Sequence, residues 1–257
     1  GGAFSDPSQM RDLTWDLEND AVHVIMAPGV TDISSERIRA RPVAGLPLLH
    51  LDHPRHQDAL RWAKRTFDVV GSALLLALLS PLLAVAAWRI RRYDGGSVLF
   101  RQTRVGRDGD EFTCLKLRTM VPDAEQILPD LHTAVGYRDG IFKMAQDPRI
   151  TRPGRWIRRF SIDEVPQLVN VLRGDMSLVG PRPPLPSEVD RYTLAQVRRL
   201  HVRPGMTGLW QVSGRSDLSW AESIRLDLYY VDNWSMVQDL MILGRTVGAV
   251  LSSRGAY

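Results

Sequence analysis

The chain has 257 residues, 44% of them hydrophobic, enough for one large folded unit or two modest ones. Its 33 Lys and Arg against 29 Asp and Glu leave a net charge of +4, so charge alone favours phosphates, anionic lipid or nucleic acid as partners. The single cysteine, Cys114, excludes an internal disulfide and a cysteine-rich metal site, and makes a reducing compartment the simpler setting.

In chain order, Gly1-Gly2 opens without a methionine, a basic start or an apolar signal core, and reads as the edge of a truncated protein. Residues 1–58 differ in pattern from the rest of the chain. Residues 21–26 predict a buried strand, Ala27-Pro28-Gly29-Val30 a turn, and residues 47–51 another short strand. This is the pattern of the tail of an α/β unit, too small to bury much surface alone.

From Val69 to Trp88 the chain carries 20 residues without a charge, about 30 Å as one helix and therefore the thickness of a bilayer core. Ser80-Pro81 lies at its centre, where proline removes a backbone donor and collides with the preceding turn. Arg55, Arg61, Lys64 and Arg65 precede the segment and Arg89, Arg91 and Arg92 succeed it, marking both ends as cytoplasmic. The expectation is a re-entrant helix-break-helix over about residues 66–92 that dips into one leaflet, its freed backbone groups satisfied by Ser80 or neighbouring protein. Trp62 and Trp88 would sit at the interface. The alternative is a kinked buried or spanning helix. Next, Ser97–Phe100 and Glu111–Lys116 predict a hairpin around Gly106-Arg107-Asp108-Gly109. Beyond that the pattern is mostly helical.

Arg149, Arg152, Arg155, Arg158 and Arg159 crowd one short stretch, directly before Asp163-Glu164. Two adjacent carboxylates repel by roughly 3 kcal/mol at an effective dielectric of 20, so they call for a cation, a proton or free solvent. A divalent metal is a natural resident if they converge. The competing reading is a capping box, Ser161-x-x-Glu164, in which the carboxylate only satisfies a backbone donor. Arg182 sits on a stiff backbone between prolines, which suits bidentate phosphate binding, or else pairs with Asp175 or Glu188. The turn from Arg203 to Gly208 could let backbone approach a nucleotide closely, although such turns are common. Residues 226–251 fit either an interfacial helix or a core helix.

Taken in order, Lys64-Arg65-x-Phe67-Asp68, Ser80-Pro81, Phe100-Arg101-Gln102, Lys116-Leu117-Arg118-Thr119-Met120, Asp147 to Arg152, Ser161 to Leu168, Gly174 to Pro183, Arg203 to Gly208 and Tyr230 to Trp234 resemble the bacterial sugar transferase family. These are monotopic polyprenyl-phosphate phosphoglycosyl transferases, and the resemblance covers about residues 61–251. It implies a fold of class α+β, mostly helical, with a re-entrant membrane helix and a small β-hairpin. A remnant of a Rossmann-like α/β domain at residues 1–58 would precede a catalytic domain at residues 59–257. It also implies that Asp163 attacks the β-phosphate of a UDP-sugar, expelling UMP, and that polyprenyl phosphate then takes the phosphosugar from the carboxylate. Glu164 would help Asp163 hold Mg²⁺. By resemblance Lys116, Arg118, Arg158, Arg182, Gly205, Thr207 and Gly208 bind substrate, while Lys64, Arg65, Ser80 and Pro81 belong to the lipid and membrane side. Glucose and galactose phosphates are the leading sugars. The implied location is the bacterial inner membrane with the site facing the cytoplasm, and a homodimer stays open. The Ser161-Ile162-Asp163-Glu164 run departs from the family's commoner Ser-Leu-Asp-Glu by an apolar swap of equal size.

Two other classes compete with this reading. A non-catalytic membrane-surface scaffold would use its basic patches for anionic lipid and the carboxylate pair as a cap. Nucleic-acid binding draws only on charge and has no motif behind it.

Overall fold

The computed structural model describes residues 32, 38–43, 46–51, 62–135, 147–214 and 218–251. The chain divides into a segment of residues 1–33 and a body of residues 34–257, and every named helix and strand belongs to the body. The strand expected at residues 21–26 lies outside the described residues. Residues 47–51 do fall in a strand: β1 (Ile38–Val43) and β2 (Leu46–Leu51) pair antiparallel, with Ile38 opposite Leu51. The parallel βαβ geometry of a Rossmann-like unit is not found among the described residues of this region.

Helix α1 (Trp62–Asp94) contains the whole apolar run and is about 50 Å long at ordinary helical rise. The backbone stays helical through Ser80-Pro81, so a bend there would not interrupt the helix. Pro81 takes away the N–H that the Ala77 carbonyl would accept. The Ser80 hydroxyl donates to that same carbonyl at 2.8 Å and replaces it. Exposure along α1 is uneven. Lys64, Asp68 and Ser72 in the first arm and Ala86 and Ile90 in the second are buried, whereas Leu74 and Leu78 between them are 67% and 74% exposed. Phe67 and Leu76 pack on a core of Leu168, Val171 and Leu178, and Leu82 and Leu83 pack beside Leu117, Ile157 and Ile162. Both arms therefore rest on one protein body, while Leu74 and Leu78 between them stay exposed.

The predicted hairpin is present as β3 (Leu99–Val105) and β4 (Glu111–Leu117), in register from Leu99 opposite Leu117 to Val105 opposite Glu111. Its turn needs left-handed backbone at Asp108 and Gly109, with φ of 58° and 91°. Helix α2 (Ala124–Val135) comes next. Helix α3 (Arg152–Arg159) starts at Thr151, whose hydroxyl accepts from the Gly154 amide at 3.0 Å, with Pro153 in the first turn where its missing N–H costs nothing. A 3-10 turn at Ile162–Glu164 leads into α4 (Gln167–Arg173), which ends at left-handed Gly174. Strand β5 (Ser177–Val179) pairs in parallel with β6 (Gly205–Thr207), and the short helices α5 (Pro186–Val189) and α6 (Leu194–Val197) lie between them in sequence. Helices α7 (Leu209–Ser213), α8 (Trp220–Asp232) and α9 (Met236–Leu251) complete the body. In helix α9, Asp239 and Ile242 face the core, as a core helix requires, while Val237, Leu240, Met241 and Val247 form an exposed apolar stripe.

A buried polar knot joins the start of α1 to the rest. Lys64 Nζ lies 2.6 Å from Asp239 and 3.4 Å from Asp68, Trp234 donates to Asp239, and the Tyr230 hydroxyl sits 2.8 Å from Asp239 and 2.9 Å from the Val179 carbonyl. Asp68 in turn accepts from the Leu178 amide at 3.1 Å. Each charge is paired and hydrogen-bonded, the condition under which burial of ions is tolerated. The knot fixes the strand that leads into the loop carrying Arg182.

Candidate active site

The carboxylate pair is built by the 3-10 turn. Ser161 has φ of 53° and makes no side-chain cap, so the capping-box reading fails. Glu164 turns instead to Lys116 on β4, whose Nζ donates to its Oε1 at 2.8 Å. Burial pushes Asp163 upward, the neighbouring Glu164 charge adds to it, and its carboxyl stands at about 6 despite the opposing charges of Lys116 and Arg158. Burial also acts to raise Glu164, but the Lys116 charge and hydrogen bond outweigh it and hold this carboxyl below its usual range. Two adjacent acids are thus driven apart, one held ionised and one poised near neutrality. The Glu164 side chain is 38% exposed and that of Lys116 27%.

Lys116 is in place because β4 is. Asn170 on α4, fully buried, accepts from the Leu115 amide at 3.0 Å and donates to the Thr113 carbonyl at 2.8 Å and to Asp175 at 3.0 Å. Its amide satisfies the outer edge of β4 as another strand would. Sequence reasoning missed this residue, because a lone Asn in a helix carries no signal of a long-range partner. The five clustered arginines separate. Arg158 acts electrostatically on Asp163, Arg149 pairs with Asp147 at 2.6 Å, and Arg152, Arg155 and Arg159 face outward.

Arg182 takes the second of its two expected roles in this structure, pairing with Glu188 at 3.0 Å, yet its charge still lowers Glu164. Its loop is pinned to the hairpin by Arg104, which donates to the Pro183 carbonyl at 2.9 Å, and by the Val105 amide on the Pro184 carbonyl at 2.9 Å. Arg104 was not singled out from the sequence. The signal available was strand alternation, which sets it on the face of Gln102, whose side-chain oxygen accepts from it at 2.6 and 3.0 Å.

The other expected residues also have partners within the fold. A Cβ on Gly205 would stand 2.0 Å from the Gly180 amide nitrogen and one on Gly208 2.4 Å from the Gly180 carbonyl oxygen, so these glycines allow backbone to approach backbone. The Thr207 hydroxyl bonds to Thr246 at 2.7 Å. Arg118 pairs with Asp94 at the end of α1, away from the carboxylates that Lys116 meets. Lys64 is only 3% exposed, and Arg65 donates to the Val171 and Leu172 carbonyls at the end of α4. Folded carboxylates and carbonyls hold both charges.

The sequence model of the family described as bacterial sugar transferase matches residues 59–253. The UDP-galactose-lipid carrier transferase of Erwinia amylovora is 44% identical over 82% of this chain and 45% of its own length. The exopolysaccharide production protein ExoY of Rhizobium meliloti is 43% identical over 76% of this chain and 88% of its own. The undecaprenyl-phosphate galactose phosphotransferase of Salmonella typhimurium is 39% identical over 96% of this chain and 59% of its own. The chain therefore spans about half the length of two of these relatives and most of the other. The family match covers the carboxylate pair, both arms of α1, the hairpin and the Arg182 loop, and the chain belongs to the bacterial sugar transferase family.

Proposed function

We propose that the chain carries the active site of a phosphoglycosyl transferase that moves a hexose-1-phosphate from a UDP-sugar to undecaprenyl phosphate at the cytoplasmic leaflet, opening exopolysaccharide or capsule synthesis. The observation that carries this reading is the split carboxylate pair: Asp163, at about 6, beside Glu164 held by Lys116. At pH 7 such a group is mostly ionised, and a carboxylate of that kind is a competent nucleophile. An Asp163 oxygen attacks the β-phosphorus of the donor, the bond from that phosphorus to the bridging oxygen breaks, and UMP departs with the electron pair. An oxygen of the lipid phosphate then attacks the same phosphorus and returns Asp163 as carboxylate. Arg158 and Arg182 offer positive charge to phosphate oxygens throughout, which is what phosphoryl transfer asks of a protein.

Among the described residues no group of three or more His, Cys, Asp or Glu side chains comes together. A Mg²⁺ ion here would therefore rest on Asp163 and Glu164 together with substrate phosphates. Bound there, it would supply charge neutralisation on the pyrophosphate. The names of the relatives, which mention UDP-galactose and undecaprenyl phosphate, support galactose as a donor sugar, with glucose the other leading choice. The two arms of α1 on one body support an apolar segment that enters and leaves one leaflet, delivering the lipid phosphate beside the carboxylates. Residues 1–58 remain assigned to a preceding domain and linker, and residues 59–257 to the catalytic domain.

The test is UMP release from a panel of UDP-sugars with Mg²⁺, with mass spectrometry of the Asp163 peptide after incubation without lipid. Asp163→Asn is expected to abolish both release and adduct while keeping the fold. An active Asp163→Asn enzyme, or an adduct elsewhere, overturns the assignment.

A further inference from the structure

The arginine cluster is only partly used by the active site. Arg152, Arg155 and Arg159 keep helical spacing along the outer face of α3 and are exposed, as are Arg89 and Arg92 at the end of α1. None of the five has an acidic partner within salt-bridge distance among the described residues. Like charge gathered on one exposed surface repels only weakly in water, but it makes a positive potential that attracts anions.

Its place in the fold decides what that is. Arg89 lies over the Trp156 ring of α3 at 5.5 Å. Leu82 and Leu83, from within the apolar run, pack in the same cluster as Ile157 and Trp156, so α3 lies against the arm of α1 where apolar sequence gives way to charge. Exposed aromatics accompany the arginines: Trp88 at 65%, Tyr93 at 52% and Phe160 at 38%. The amphipathic rings of Trp88 and Tyr93 beside cations at the edge of a lipid-facing segment are the composition of a headgroup layer contact.

We infer that the outer face of α3 with the end of α1 forms a belt that binds anionic phospholipid headgroups and seats the protein on acidic membrane. It rests on the proposed membrane reading of α1. The belt lies on the face of α3 opposite the one that turns Ile157 into the core, so it is separate from the carboxylate pair.

The full chain reconstituted in phosphatidylcholine bilayers provides the test, through quenching of its tryptophan fluorescence by brominated phosphatidylglycerol and by brominated phosphatidylcholine. Stronger quenching by the anionic lipid is expected. In Arg155→Gln/Arg159→Gln the preference should fall by roughly fivefold or more, as expected when charges are removed from a membrane surface. High salt should reduce it in the parent chain. Equal quenching by the two lipids, or a preference unchanged in the double variant, overturns the belt. Quenching by neither lipid overturns the membrane reading of α1 together with the belt. No donor or acceptor is present, so the result does not depend on whether the transferase assignment holds.

Discussion

At the scale of single residues the site rests on a division of labour between neighbours. Asp163 stands at about 6 because burial and the Glu164 charge both disfavour its ionised form. UMP release should therefore rise with pH through about 6 and level off above it. Glu164→Gln removes the nearer negative charge, so the acidic limb of that profile should move to lower pH even as turnover falls; an unmoved limb would show that another group titrates. The same sign governs stability. A carboxyl raised above its unfolded value opposes folding increasingly as pH climbs from about 4 to about 6, so Asp163→Asn should be at least as stable as the parent at pH 7 in thermal melts. Asn170 belongs to this scale as well. Asn170→Ala leaves the Leu115 amide and the Thr113 carbonyl unpaired in the interior, which should cost about 2–3 kcal/mol in denaturant unfolding and loosen Lys116 with it. The carboxylates were legible in sequence because adjacent like charges need a reason. Asn170 was not, because its partners are 55 and 57 positions away.

At the scale of elements, local chemistry explains two features that sequence alone left ambiguous. Proline inside α1 announces a break, and the Ser80 hydroxyl on the Ala77 carbonyl shows how the helix survives it. The glycines of β6 and the turn after it announce a close approach, and the Gly180 backbone is what approaches. Gly205→Ala should consequently destabilise the fold by about 1–3 kcal/mol or more, since the clash is with backbone that cannot swing aside. The readout is the midpoint of thermal unfolding. An Ala variant as stable as the parent would return this glycine to the role of ligand approach.

At the scale of the whole molecule, α1 holds both ends against one body while presenting Leu74 and Leu78 outward. If that middle lies in one leaflet, cysteines placed at Trp62 and Arg92 should both react with an impermeant maleimide from the cytoplasmic side and neither from the other side. Cys114 is buried and should contribute little background. Reaction of one end from outside would make α1 a true span. Both sites are at the surface, Trp62 with 80% exposure, so labelling reads topology and not burial.

The amino-acid sequence by itself determined the elements whose cause is local: the apolar length of α1, the hairpin with its Gly106 to Gly109 turn, and the placement of Asp163-Glu164 just before a helix. It also carried the ordered motifs that mark the family. Only the tertiary structure decided which charges meet. Lys116 and Arg118 stand two positions apart in one motif, yet one meets Glu164 and the other meets Asp94. Lys64 and Arg65 are adjacent, yet one enters a buried knot with Asp239 and the other caps α4. A charge is satisfied by whatever folding brings within about 4 Å, and such partners lie tens to hundreds of residues away, where spacing along the chain holds no record of them.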